Sequence, residues 1–124
     1  MPIPFRAELQ GFLAEFVEHH RGVRLGKMFG LPGIYVGRRL VTCLMEDGII
    51  VRLPPEVARQ EIQTKRGKRY SRGARASGSW VMYTPRTAVD ARRLTPAIER
   101  AARHVAERQV AETTGITLKR RRRS

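Results

Sequence analysis

One cysteine, Cys43, stands in the whole chain, so no internal disulfide can form and a reducing compartment is expected. There is no C-x-x-C, H-x-x-x-H or H-E-x-x-H, and only three histidines, His19, His20 and His104. Zinc sites need ligands at such spacings, so no metal site is expected and the histidines read as surface residues. Acidic residues are scarce: 11 Asp and Glu against 25 Lys and Arg give a net charge of +14. No apolar run approaches the ~18 residues that a membrane span requires, and the opening MPIPFRAELQGF lacks a long apolar signal core. Membrane insertion and secretion are therefore not expected, and a cytoplasmic location is the default reading.

What is present is one domain's worth of chain. At 124 residues with 41% hydrophobic content, a single core burying roughly 65 to 70% of the unfolded surface is expected. The surplus of positive charge implies an anionic partner and says nothing about fold.

Apolar residues Phe5, Leu9, Phe12, Leu13, Phe16 and Val17 recur at helical spacing and predict a helix over 5–20, with Gly22 able to end it. Short apolar runs then predict strands at 25–29, 33–36, 40–45 and 49–53, joined by glycine-bearing turns. Cys43 falls within one of these strands as a buried residue. Pro55 suits the first turn of a short helix reaching about Ile62. Residues 79–84 read as a strand with Trp80 and Met82 on one face and Val81 and Tyr83 on the other. A short helix or Arg-rich turn is expected over 87–94. Thr95 is then expected to cap, and Pro96 to open, a helix running to about Thr113, with Ile98, Ala101, Ala102, Val105 and Ala106 as its apolar stripe. The sum is an α+β fold: an antiparallel β-sheet meander with flanking N-terminal and C-terminal helices, forming one domain over 1–117. Residues 118–124, with five successive bases, are expected to form a disordered basic tail.

The stretch KMFGLPGIYVGRR, Lys27 to Arg39, contains no Gly-Lys-Ser/Thr and no G-x-G-x-x-G, so it does not read as a phosphate cradle. Gly30, Gly33 and Gly37 read as turn residues. This segment, with Lys27, Met28, Phe29, Gly30, Gly33, Tyr35 and Gly37, resembles the motif of the TfoX N-terminal domain family, and more distantly the YjbR/MmcQ group. Ile49 to Leu53 and Ser79 to Tyr83 stand where that family has its later strands, and the likeness spans about residues 8–107. The resemblance implies a small α+β domain with flanking helices, without catalytic residues or cofactor. It does not imply a competence role for this chain.

Candidate nucleic-acid contacts follow from charge. KRGKRYSRGAR, 65–75, holds six bases in eleven residues and no acid. Lys65, Arg66, Lys68, Arg69, Arg72 and Arg75 could meet phosphates there, Tyr70 could stack a base, and Lys119, Arg120, Arg121, Arg122 and Arg123 could act as a mobile arm. On the last helix Arg92, Arg93, Arg100, Arg103 and Arg108 are further candidates, although Glu99, Glu107 and Glu112 suit i,i+4 pairing with some of them. Neither Cys43 with a histidine nor Glu46 with Asp47 has a spacing that suggests catalysis, so a non-enzymatic protein is expected. The alternative is a protein-interaction module or dimeric scaffold, with Tyr35, Trp80 or Tyr83 exposed as anchors.

Overall fold

The computed structural model describes residues 6–28, 30–46, 48–70 and 79–123, with side chains from Ala7 to Val110. Phe29, Arg72 and Arg75 lie outside the described residues. So do the side chains of Lys119, Arg120, Arg121, Arg122 and Arg123.

Helix α1 (Arg6–Glu18) places Leu9, Leu13 and Phe16 on one buried stripe, as their i, i+4, i+7 spacing requires. Four strands follow: β1 (Arg24–Met28), β2 (Leu31–Val36), β3 (Arg39–Leu44) and β4 (Ile49–Arg52). Helix α2 (Pro55–Gln63) has proline in its first turn, where a missing amide costs nothing. Strand β5 (Lys68–Arg69), strand β6 (Trp80–Tyr83), helix α3 (Ala88–Arg92) and helix α4 (Thr95–Arg123) complete the order. The sheet runs β1-β2-β3-β4-β6-β5, and every pairing is antiparallel. This is an α+β fold with an antiparallel sheet flanked by N-terminal and C-terminal helices.

The β2–β3 turn contains two residues, Gly37 and Arg38, between the paired Val36 and Arg39. Gly37 takes φ 59°, the left-handed conformation that a tight hairpin demands and glycine supplies without strain. Gly30 lies in the β1–β2 turn as expected, but Gly33 does not turn the chain. It sits inside β2, where an added Cβ would come within 2.9 Å of the Thr42 carbonyl oxygen. Its reason is close approach between strands, not turn geometry.

The same pairing contains a bulge. Ile34 opposes Thr42 and Tyr35 opposes Leu40, so Val41 is the extra residue. Val41 and Leu44 consequently face the helices, while Leu40 and Cys43 face the other way. Thr42, a buried polar residue, is satisfied because its hydroxyl donates to the Ile50 carbonyl at 2.7 Å.

The main core lies between the sheet and the helices. Ile34, Ile49, Val51, Val81 and Tyr83 meet Leu9, Leu13 and Phe16 of α1, Ala58 of α2, Ala91 of α3, and Ile98, Ala101 and Val105 of α4. The small alanines let α4 lie close across β2, β3 and β4. A second cluster forms on the opposite sheet face from Leu40, Cys43, Ile50, Tyr70 and Trp80, with Met28, Leu31, Tyr35, Met45 and Met82 against it. The expected two faces of β6 are seen, and so is the buried Cys43.

Two helix boundaries differ from expectation. Thr95 is already helical rather than a cap, because the Ile98 amide donates to the Leu94 carbonyl. The threonine cap belongs instead to α3, where the Thr87 hydroxyl accepts from the Asp90 amide. The backbone of α4 also passes Thr113 and stays helical through the basic run to Arg123. Lysine and arginine are good helix formers, and cations at a helix C-terminus interact favourably with its dipole.

A candidate nucleic-acid interface at one end of the sheet

The acids and bases are sorted by element. Three acids lie in α1, two at 46–47 between β3 and β4, two in α2, one in α3 and three in α4. No strand contains one. The strands instead carry Arg24, Lys27, Arg39, Arg52, Lys68 and Arg69, and the β2–β3 turn adds Arg38.

Register lines several of these up on the sheet face opposite the helices. Arg24 opposes Tyr35, which in turn opposes Leu40; farther along, Arg52 opposes Trp80, and the Tyr70 amide donates to the Trp80 carbonyl. The Arg24 guanidinium lies 4.8 Å from the Tyr35 ring centroid, and its Nε donates to the Gly37 carbonyl at 3.1 Å. The Arg52 guanidinium lies 5.9 Å from the Trp80 ring centroid. The rings hold these cations by their π faces while leaving the guanidinium edges available as donors.

Helix α4 brings more positive charge to this end. Gln109 approaches Gly37 at the hairpin tip, and Arg108 acts electrostatically on Arg52 at the end of β4. Burial pushes the Arg52 guanidinium below the ordinary arginine range, and repulsion from Arg108 and Arg39 adds to the effect. His104 is likewise lowered, first by burial and then by Arg108 and Arg52, with Glu107 opposing. Its Nε2 is buried without a hydrogen-bond partner among the described residues. Arg108 and Arg52 thus both act on the His104 imidazole, and Arg39 acts on Arg52 from β3.

The expected 65–75 patch is divided by the fold. Lys65 and Arg66 follow α2, and Lys68 and Arg69 form the edge strand β5, all four exposed. Lys68 opposes Met82 and Arg69 opposes Val81, so their side chains leave opposite faces of the sheet. Arg66 is partly used internally, 3.5 Å from the Glu61 carboxylate. Tyr70 is not presented to a base: it is 7% exposed and packs in the second cluster with Trp80. A phenol flanked by Trp80, Cys43 and Ile50 is a core residue, and its ring face is not open to the base stacking expected of it.

Lys65 has a feature its sequence position does not announce. Its φ is 61°, in the left-handed region that lysine adopts at a cost. The hydrogen bonds Lys65 N to Ile62 O and Arg66 N to Glu61 O close a Schellman motif after α2, whose left-handed position is usually glycine.

The anchors expected for a protein-binding module are largely enclosed. Trp80 and Tyr83 are each 6% exposed, and Tyr35 is half-buried under Arg24. The expected pairing of Glu99 within α4 is replaced by a contact across the fold: Glu99 accepts from His20 Nε2 at 3.0 Å. His20 also donates from Nδ1 to the Phe16 carbonyl at 2.8 Å and stacks on the Phe16 ring. The Glu99 hydrogen bond raises the His20 imidazole above its ordinary value.

Among the described residues, no group of three or more His, Cys, Asp or Glu side chains could hold a metal ion. Likewise, no helix is long and apolar enough to cross a membrane. No family model, curated protein or solved structure matches the chain.

Proposed function

We propose that this protein binds nucleic acid through phosphate contacts, without catalysis, using the sheet end around Arg52 as the centre of the surface. The observation that carries the reading is that strands without any acid set Arg24 and Arg52 over Tyr35 and Trp80 on one sheet face, with Arg108 and Arg39 in electrostatic reach of Arg52. Like charges near one another repel, and a polyanion bridging them relieves that repulsion.

At the sheet end the mode is phosphate contact rather than base reading. Phosphate contacts position a protein on nucleic acid without carrying sequence information. Tyr70 and Trp80 are enclosed, so their rings are not offered to bases. Within the proposal, the Lys27-to-Arg38 motif together with the α1, meander and late-strand order supports placing the chain beside the TfoX N-terminal domain family.

The test is binding of labelled DNA and RNA over a salt series. Three phosphates neutralised at the sheet end should give a log–log slope near −2.7 on duplex DNA, or about −2 on single strands. Replacing Arg39, Arg52 and Arg108 together by glutamine should abolish most of that slope. Affinity that is independent of salt, or a triple variant that binds as the parent does, refutes the proposal.

A further inference from the structure

A groove of about 730 Å³ opens on another part of the molecule, between α2, the end of β6 and the α3–α4 junction. Its volume falls within the range of small-molecule sites. Its apolar walls come from opposite sides: Leu53 and Val57 from the β4–α2 region, and Leu94, Pro96 and Ala97 from the start of α4. Arg66, Arg93 and Arg100 supply charge, and Gln60, Glu61 and Thr84 supply hydrogen-bonding groups.

The two acids in the lining are already engaged. Glu61 accepts from the Tyr83 hydroxyl at 2.9 Å and sits 3.5 Å from Arg66. Burial and the Glu61 contact both push the Tyr83 phenol upward, so it remains a donor. Asp90 accepts from the Arg86 amide at 3.3 Å as part of the α3 cap. Among the described residues, Arg93 and Arg100 make no ion pair and both are exposed. The groove thus combines two uncommitted guanidinium groups, an apolar slot and a fixed carboxylate acceptor beside an amide.

We infer that this groove holds one nucleotide unit, with its phosphate between Arg93 and Arg100 and its planar base between Val57 and Pro96, edge towards Gln60 and Glu61. The inference deepens the nucleic-acid reading and rests on it for the class of ligand. Charge and shape favour this occupant over an apolar acid, which would leave Gln60, Glu61 and Thr84 facing hydrocarbon without new partners. A free mononucleotide and an unstacked nucleotide within a strand present the same chemistry, and the experiment separates them.

The test follows backbone amide resonances of the full chain during titration with 5′-AMP and 5′-CMP, with inorganic phosphate, octanoate and a five-residue single strand as parallel arms. Saturable shifts are expected at Val57, Gln60, Ala97 and Arg100, with phosphate alone binding at least ten-fold more weakly. The double variant Arg93→Gln, Arg100→Gln should lose ten-fold or more in affinity, as expected for charge-assisted contacts. Saturation by the mononucleotides alone identifies a free ligand; tighter binding by the five-residue strand identifies a strand. Octanoate preferred over nucleotides, or no saturable shift in the groove, overturns the inference. The Arg39, Arg52 and Arg108 triple variant separates the two sites. If it keeps the groove shifts while losing long-strand binding, only the sheet-end proposal concerns that strand. If the parent binds long strands but its groove is silent, only the groove inference fails.

Discussion

Arg52→Met should weaken nucleic-acid binding without destabilising the fold. Methionine keeps an unbranched apolar side chain against Trp80, and its sulfur–aromatic contact of about 0.3–1.5 kcal/mol is comparable to the cation–π interaction of roughly 0.5–1 kcal/mol that it replaces. The remaining change is removal of a partly buried charge that Arg108 and Arg39 both repel. Exposed charge pairs are worth about 0.2–1 kcal/mol, so relief of two such repulsions should stabilise the protein by roughly 0.5–1 kcal/mol. At about 4–8 °C per kcal/mol for a domain near this size, the melting temperature should rise by roughly 2–8 °C. Binding should respond in the opposite direction: loss of one phosphate contact lowers the magnitude of the salt slope by about 0.9 on duplex DNA or about 0.7 on single strands. Circular-dichroism melting and fluorescence anisotropy over a potassium chloride series measure the two effects on the same samples. A melting temperature that falls by more than a few degrees, with the salt slope unchanged, would show Arg52 to be a structural side chain and refute the argument.

Lys65→Gly should stabilise the chain by up to about 1 kcal/mol through release of left-handed strain and leave the salt slope at the parent value, because Lys65 lies towards the Tyr83 end of β6, away from Arg52; both are read in the same pair of assays. Tyr83→Phe removes a donor to the Glu61 carboxylate and should cost about 1.5–3 kcal/mol in denaturant unfolding, with little change if that contact is not formed in solution. The raised His20 imidazole contributes stability that is complete below the ordinary value of 6.5 and disappears as pH rises through its folded value. Glu99→Gln should remove that dependence, with a loss below about 1 kcal/mol, in melts collected across that range. His104 acts with the opposite sign: its lowered value costs stability as pH falls below 6.5, so His104→Gln should flatten the acid side of the same profile.

Local pattern made much of the fold legible. The stripe of Leu9, Leu13 and Phe16, the proline opening α2, and the alternation Trp80, Val81, Met82, Tyr83 each carry a periodic or stereochemical signal within a few residues. Gly33 was misread as a turn residue because close strand approach and positive φ both select glycine, and only pairing with Thr42 separates them. The bulge at Val41 is equally a property of two strands, not one. At the candidate interface, charge density in 65–75 drew attention to Lys65, Arg66, Lys68 and Arg69, yet Arg39, Arg52 and Arg108 are far apart in the chain and are brought together by β3, β4 and α4. No local pattern singles out Arg24 or Arg52; only register places them over Tyr35 and Trp80. Tyr70 was misjudged for the same reason: its neighbours in sequence are polar, while its neighbours in space are not.

With no carboxylate in any strand, every charged side chain that the strands carry has the same sign. No strand residue can neutralise another, so mobile ions in the solvent do much of the screening on that layer. A polyanion drawn to the strands thus meets a field whose reach dissolved salt sets, long in dilute solution and short in concentrated.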